Sequence, residues 1–137
     1  EALASAGVTG LRKCKLSTRK AEYIFEVARS IHEGYLDLEG LRNLPSEEFE
    51  AKIMDLRGVG NWTAHWLLIR GLGHPNAFPA GDLALARIIS RVYERDHTMS
   101  PRELEEFSQR WTPYRSWATL YLSAAWRLGL LGTTPKQ

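Results

Sequence analysis

The sequence predicts an all-α fold, a bundle of about six helices joined by short loops, on three observations. Apolar residues recur three and four positions apart in several separate segments. Each segment is preceded by a capping residue or followed by Gly or Pro. Nowhere does a sustained apolar–polar alternation mark a strand, and no internal repeat or low-complexity tract is present. At 137 residues, 44% of them hydrophobic, the chain is expected to form one domain, residues 1–137, whose core needs no metal or disulfide.

The first helix read from the pattern is STRKAEYIFEVARSIHEG, with Ser17 as its cap, Ile24, Val27, Ala28 and Ile31 on one face, and Gly34 at its close. LEGLRNL follows as a short helix or a turn. Pro45 and Ser46 then open SEEFEAKIMDL, whose early glutamates suit the positive end of a helix dipole, and Gly58 stops it. A helix from Asn61 to about Arg70 ends in the breakers Gly71, Gly73 and Pro75. After the loop HPNAFPAG, Asp82 occupies a cap position ahead of LALARIISRVY. Ser100, Pro101 and Glu103 make a capping-box pattern for a helix to about Arg110. Thr112 and Pro113 repeat the start signal for the last long helix, YRSWATLYLSAAWRLG.

Eighteen Lys and Arg against sixteen Asp and Glu leave a net charge of +2, which names no partner. Arg12, Lys13, Lys15, Arg19 and Lys20 concentrate basic charge near the start, either as a solvated helix entrance or as a phosphate-facing patch. Cys14 is the single cysteine, which excludes an intrachain disulfide and any four-cysteine cluster and fits a reducing compartment. The histidines at 32, 65, 74 and 97 lack ligand spacing, so no protein-built transition-metal site is expected. No apolar run approaches a membrane span, and no membrane partner is expected. The start EALASAG shows neither an initiator Met nor a signal-peptide pattern, as expected of a piece of a longer protein.

Chemistry concentrates in LRGVGNWTAHW, residues 56–66. Two helices joined by Gly-Val-Gly form a helix-hairpin-helix pattern at about residues 46–71. A dinucleotide fingerprint would need a preceding strand and a third glycine. Gly58 and Gly60 can adopt positive φ and admit close approach to the backbone, so amides near 58–62 can hold a nucleic-acid phosphate. The same glycines equally serve an ordinary αα turn. Trp62 and Trp66 lie one helical turn apart, suited either to stacking on a cationic base or to packing in a core. Asp82, twenty positions after Trp62, is either a plain helix cap or a reactive carboxylate.

LRGVGNWTAHW, AFPAGDLALARII and PYRSWATLYL, in that order and spacing, resemble the helix-hairpin-helix (HhH-GPD) DNA glycosylase superfamily and, within it, the 3-methyladenine DNA glycosylase II branch. The resemblance covers about residues 1–130 but only the later part of the family's catalytic region, with the catalytic loop and helix at about 76–93. It implies a hydrolase of base-excision repair that flips an alkylated purine such as 3-methyladenine out of duplex DNA and breaks its N-glycosidic bond. Asp82 would then be the catalytic carboxylate, stabilising the oxocarbenium-like sugar and orienting the water. An alkylated purine is already cationic, so one carboxylate can suffice. Trp62 and Trp66 would line the base pocket. Trp62 also stands where bifunctional members carry a Schiff-base Lys, so the resemblance implies base removal without strand cleavage.

Gly58, Val59, Gly60 and Thr63, with Arg57, would face the DNA backbone. No cofactor is required, and a sodium or potassium ion is implied on the main-chain carbonyls of Met54, Leu56 and Val59. The match departs at two positions: Arg57 replaces the usual hairpin Pro, and Ser123 stands where the branch commonly has a pocket aromatic. Either Tyr121 or Trp126 compensates, or the pocket is more open. The family's earlier helices, with a glutamine-bearing loop that wedges into DNA, are not in this chain. The expected partner is duplex DNA with alkylated bases, inside the cell with the nucleoid or in the nucleus, and the protein is expected to be a monomer when those helices are present. The alternatives are a non-catalytic helix-hairpin-helix DNA-binding module or inactive glycosylase fragment, and an all-α scaffold with no nucleic-acid role. Geometry discriminates: a glycosylase needs Asp82, Trp62 and Trp66 around one cavity, whereas in a binding module Asp82 only caps its helix.

Overall fold

The computed structural model describes residues 1–131, and among these it contains eight α-helices, one 3-10 turn and no strand. They are α1 (Ala2–Lys13), α2 (Thr18–His32), α3 (Leu38–Arg42), α4 (Ser46–Met54), α5 (Asn61–Arg70), α6 (Leu83–Val92), α7 (Pro101–Ser108), the 3-10 turn Gln109–Trp111 and α8 (Arg115–Arg127). The all-α class is as expected; the helix count exceeds the expected six by α1 and α3. Asp37 settles the choice between helix and turn for α3, because its carboxylate accepts the Gly40 amide at 3.0 Å and so caps a helical start. The sequence concealed α1 because Gly7, at φ 61° and ψ 176°, interrupts it, and Gly10 weakens it further. Packing along α2, more than intrinsic propensity, holds it helical.

The chain divides into two compact units that meet in sequence at Gly60 and Asn61, inside the hairpin. The amino-terminal unit, α1 to α4, buries Leu11, Ala21, Leu41, Phe49 and Ile53. Ser17 caps α2 as expected, its hydroxyl accepting the Lys20 amide at 3.3 Å.

The second unit, α5 to α8, is built around Phe78, Leu85, Ala86, Ile89, Met99, Leu104 and Phe107. Phe107 meets Tyr93 and Trp111 edge-on, at centroid separations of 4.8 and 5.5 Å, which closes one side of this core. The capping box of α7 forms as the sequence indicates: Ser100 accepts the Glu103 amide, and Glu103 accepts the Ser100 amide at 2.8 Å. Glu103 also accepts from the Ser100 hydroxyl and meets His97 at 2.9 Å, and these contacts hold its carboxyl at about 2. The start signal at Thr112 is displaced. Helix α8 begins at Arg115, and the Thr112 hydroxyl turns back to Gln109 at 3.4 Å, so it caps nothing ahead of it.

Candidate active site

The stretch from Pro75 to Asp82 has little regular structure of its own and is held by the start of α8. Ser116 donates its amide to the Pro75 carbonyl and its hydroxyl to the Ala77 carbonyl, both at 2.9 Å. Arg115 donates to the Asn76 carbonyl at 3.0 Å and side chain at 3.1 Å, while its other arm meets Glu105. Phe78 and Pro79 are buried completely, so the loop is anchored from below as well. A last turn, with the Asp82 amide on the Pro79 carbonyl at 2.9 Å, delivers Asp82 to the start of α6.

There three N–H donors converge on one carboxylate. The Asp82 Oδ1 accepts the Leu85 amide at 2.9 Å, and its Oδ2 accepts both the Trp62 indole at 2.8 Å and the Trp66 indole at 3.1 Å. An indole N–H can only donate and an ionised carboxylate can only accept, so this set of partners selects the charged form. Burial pushes the Asp82 carboxyl up, but the Leu85 amide, the two indoles and the Ala84 amide outweigh it and hold the group below its ordinary value.

Beside Asp82 opens a cavity of about 800 Å³. Asp82, Trp66, Ser123 and Trp126 are on its wall, and Trp62 is not. The arrangement expected of a glycosylase is thus met in part: Asp82 and Trp66 share the cavity, while Trp62 joins them only through its hydrogen bond to the carboxylate, which does more than cap α6. Core packing is excluded for Trp62, which is 52% exposed. Of the two candidates to replace an aromatic at Ser123, Trp126 lines the cavity, whereas Tyr121 is exposed and stacked on Trp117.

The hairpin turn treats its two glycines differently. Gly58 adopts φ +89°, and a side-chain carbon there would collide with the ring of Tyr23. Gly60 is outside the left-handed region and faces open space, so the expectation of positive φ holds for Gly58 alone. The amide of Val59 closes the turn on the Leu56 carbonyl at 3.0 Å, which leaves no donor at Val59 for a phosphate. Arg57 is exposed but engaged: its guanidinium meets Glu26 at 2.8 Å, which raises its pKa further, and lies over the Tyr23 ring at 5.3 Å. Thr63 is half-buried in the first turn of α5, and Met54 ends α4. Arg115 and Ser116 were quoted in the sequence motif without a role; their loop-holding contacts span 39 positions, beyond any local pattern.

A model of the HhH-GPD superfamily of base excision DNA repair proteins matches residues 1–114. The chain belongs to the HhH-GPD superfamily. It is 34% identical over 128 residues to a DNA-3-methyladenine glycosylase of Bacillus subtilis, covering 93% of this chain and 41% of that protein. Among solved structures, a 3-methyladenine DNA-glycosylase from Archaeoglobus fulgidus superposes with a TM-score of 0.82 at 36% identity, over 93% of this chain and 42% of the other. A DNA-3-methyladenine glycosidase from Bacillus halodurans gives 0.71 at 30% identity, over 85% and 54%. The chain thus spans about half or less of the length of these HhH-GPD relatives. Among the described residues no helix is long and apolar enough to cross a membrane.

Proposed function

We propose that this chain carries the reaction centre of a monofunctional DNA glycosylase that removes alkylated purines such as 3-methyladenine from duplex DNA inside the cell. The observation that carries the proposal is an Asp82 carboxylate held ionised by the Leu85 amide and two indoles and opening onto a cavity. In the reaction the flipped nucleotide's sugar gains positive charge as its bond to the base breaks. A fixed carboxylate stabilises that charge without reorganising and accepts a hydrogen bond from the incoming water. Trp66, on the cavity wall, offers a cationic base the ring face opposite the one that Arg70 covers. The indole at position 62 has no amine with which to form an imine, so the sugar is left in place and the strand uncut.

The hairpin supports the reaction by holding a backbone phosphate through the amides around Gly58 and Gly60 and the Thr63 hydroxyl, with Val59 contributing only its carbonyl. The carbonyls of Met54, Leu56 and Val59 would hold a sodium or potassium ion. All three are hard oxygen donors; Met54 closes the negative end of α4, and the Leu56 oxygen, in the turn beyond it, retains a lone pair besides the one given to Val59. Bound there, the ion would supply positive charge toward the phosphate.

The test is base release from duplex DNA carrying 3-methyladenine, with strand integrity followed on a denaturing gel, for this chain and for a form extended at its amino end. Release without strand scission is expected, and Asp82→Asn should slow it on the order of a thousandfold while DNA binding persists. Full release by Asp82→Asn would refute the mechanism. Binding without release by either form would favour the non-catalytic module.

A further inference from the structure

Five arginines, Arg70, Arg87, Arg91, Arg95 and Arg127, line the cavity beside Asp82, with Asp82 and Asp96 as its only carboxylates. None of the five has an ion-pair partner among the described residues, whereas Arg29, Arg42, Arg57, Arg102 and Arg115 each do; the other arginines without one, Arg12, Arg19 and Arg110, lie outside this cavity. Three of the unpaired set rest on aromatic rings: Arg70 on Trp66 at 4.4 Å, Arg95 toward Phe107 at 5.2 Å and Arg91 toward Trp126 at 5.9 Å. A guanidinium lying on a ring is steadied yet keeps its N–H edge for oxygen acceptors. Arg87 and Arg91 stand one turn apart on α6, a like-charge spacing that opposes the helix and that no carboxylate pairs with among the described residues.

So much unneutralised positive charge does nothing for an alkylated base, itself cationic and met in the proposed reaction by Asp82 and the Trp66 ring; it calls for a partner of opposite sign. Its complement is an anion with several oxygens. We infer that Arg87 and Arg91, with Arg95, form a second phosphate-binding surface, built from different residues than the hairpin, for the backbone of the DNA strand that carries the flipped nucleotide. Arg87 and Arg91 are separated by about 6 Å along the helix axis, close to two ~3.4 Å steps of one DNA strand. Such contacts position a strand without reading its sequence. The inference rests on the proposed glycosylase function for its choice of DNA as the anion.

The experiment is binding of the chain to an undamaged fluorescent duplex, followed by anisotropy between 50 and 200 mM salt. Each lost phosphate contact lowers the slope of log affinity against log salt by about 0.9. Arg87→Gln with Arg91→Gln should therefore flatten the slope by about two contacts' worth, and reduce the weakening over that fourfold salt range by roughly tenfold. Arg87→Lys with Arg91→Lys, which keeps the charges, should restore the slope. Arg42→Gln with Arg102→Gln removes the same net charge from paired, exposed arginines and should leave it unchanged.

An unchanged slope in the Arg87/Arg91 variant, an equal change in the Arg42/Arg102 variant, or no salt-dependent binding by the parent chain overturns the inference. Base release separates it from the proposed function. A parent chain that releases 3-methyladenine while the Arg87/Arg91 slope stays unchanged keeps the function and loses this surface. An Arg-dependent slope alongside full release by Asp82→Asn does the reverse.

Discussion

The two units are packed to different standards. Residues 61–131 bury Phe78, Leu85, Ile89 and Leu104 almost completely in one aromatic-edged cluster, and the loop leading to Asp82 is tied down by Arg115 and Ser116. Residues 1–60 bury a shorter set of apolar side chains, and leave Leu3, Ile24, Val27 and Ile31 along an open groove of about 510 Å³. The difference suits the roles proposed for each half. A carboxylate that stabilises charge at one atom has to be held to a fraction of an ångström, which only a dense core and crossed hydrogen bonds provide. A turn that offers amides to a phosphate needs correct backbone angles more than a large core behind it.

Beyond the loss of base release at Asp82→Asn, the sharpest way to break this contrast is truncation in each unit. Phe78→Ala should cost about 3–5 kcal/mol, read from denaturant unfolding. Ile24→Ala, on the open groove, should cost under about 1 kcal/mol, because its side chain is already partly in water. Equal costs would mean the units are packed alike.

Next in size is the hairpin. Gly58→Ala should lose about 2 kcal/mol from left-handed strain, with more from the encounter with Tyr23, and should weaken DNA binding. Gly60→Ala should be close to neutral in stability. Thermal unfolding of the two variants side by side decides it; the opposite ranking would show that the turn is held differently.

Smaller effects appear in pH profiles. Glu103 has a folded pKa of about 2 against an ordinary 4.5, so its contribution is present above about pH 4.5 and lost as pH falls toward 2. The stability gap between the parent chain and Glu103→Ala should close over that window; a gap that persists at its acid end would place the stabilisation outside the carboxylate. At the candidate site, the indoles help to hold Asp82 below its ordinary pKa, so activity that needs the carboxylate should persist to lower pH in the parent than in Trp62→Phe with Trp66→Phe. The acid limb of the base-release profile should move upward in that variant. An unmoved limb would show that the Leu85 and Ala84 amides suffice to keep Asp82 ionised.

Most of the fold was legible because helices announce themselves locally. Ser17, Ser100 with Glu103, and Asp82 are caps that act over three residues, and the sequence displays each of them. The failures were also local in origin: Gly7 interrupts α1, and Thr112 looks like a cap although its hydroxyl turns backward. At the candidate site, the residue types and spacing of Trp62, Trp66 and Asp82 could be read, but not that both indoles would close on the same carboxylate oxygen.

From its residues alone the chain dictates helices, a glycine hairpin and an acid at the head of α6, since periodicity, capping and turn chemistry act within a few positions. Tertiary structure decided that Trp62 holds the carboxylate instead of facing the cavity, that Arg115 and Ser116 fasten the loop, and that five unpaired arginines share one wall. Those outcomes depend on where distant segments come to rest once the core around Phe78 closes. Such convergence is set by packing over the whole unit, and no short stretch of sequence contains it.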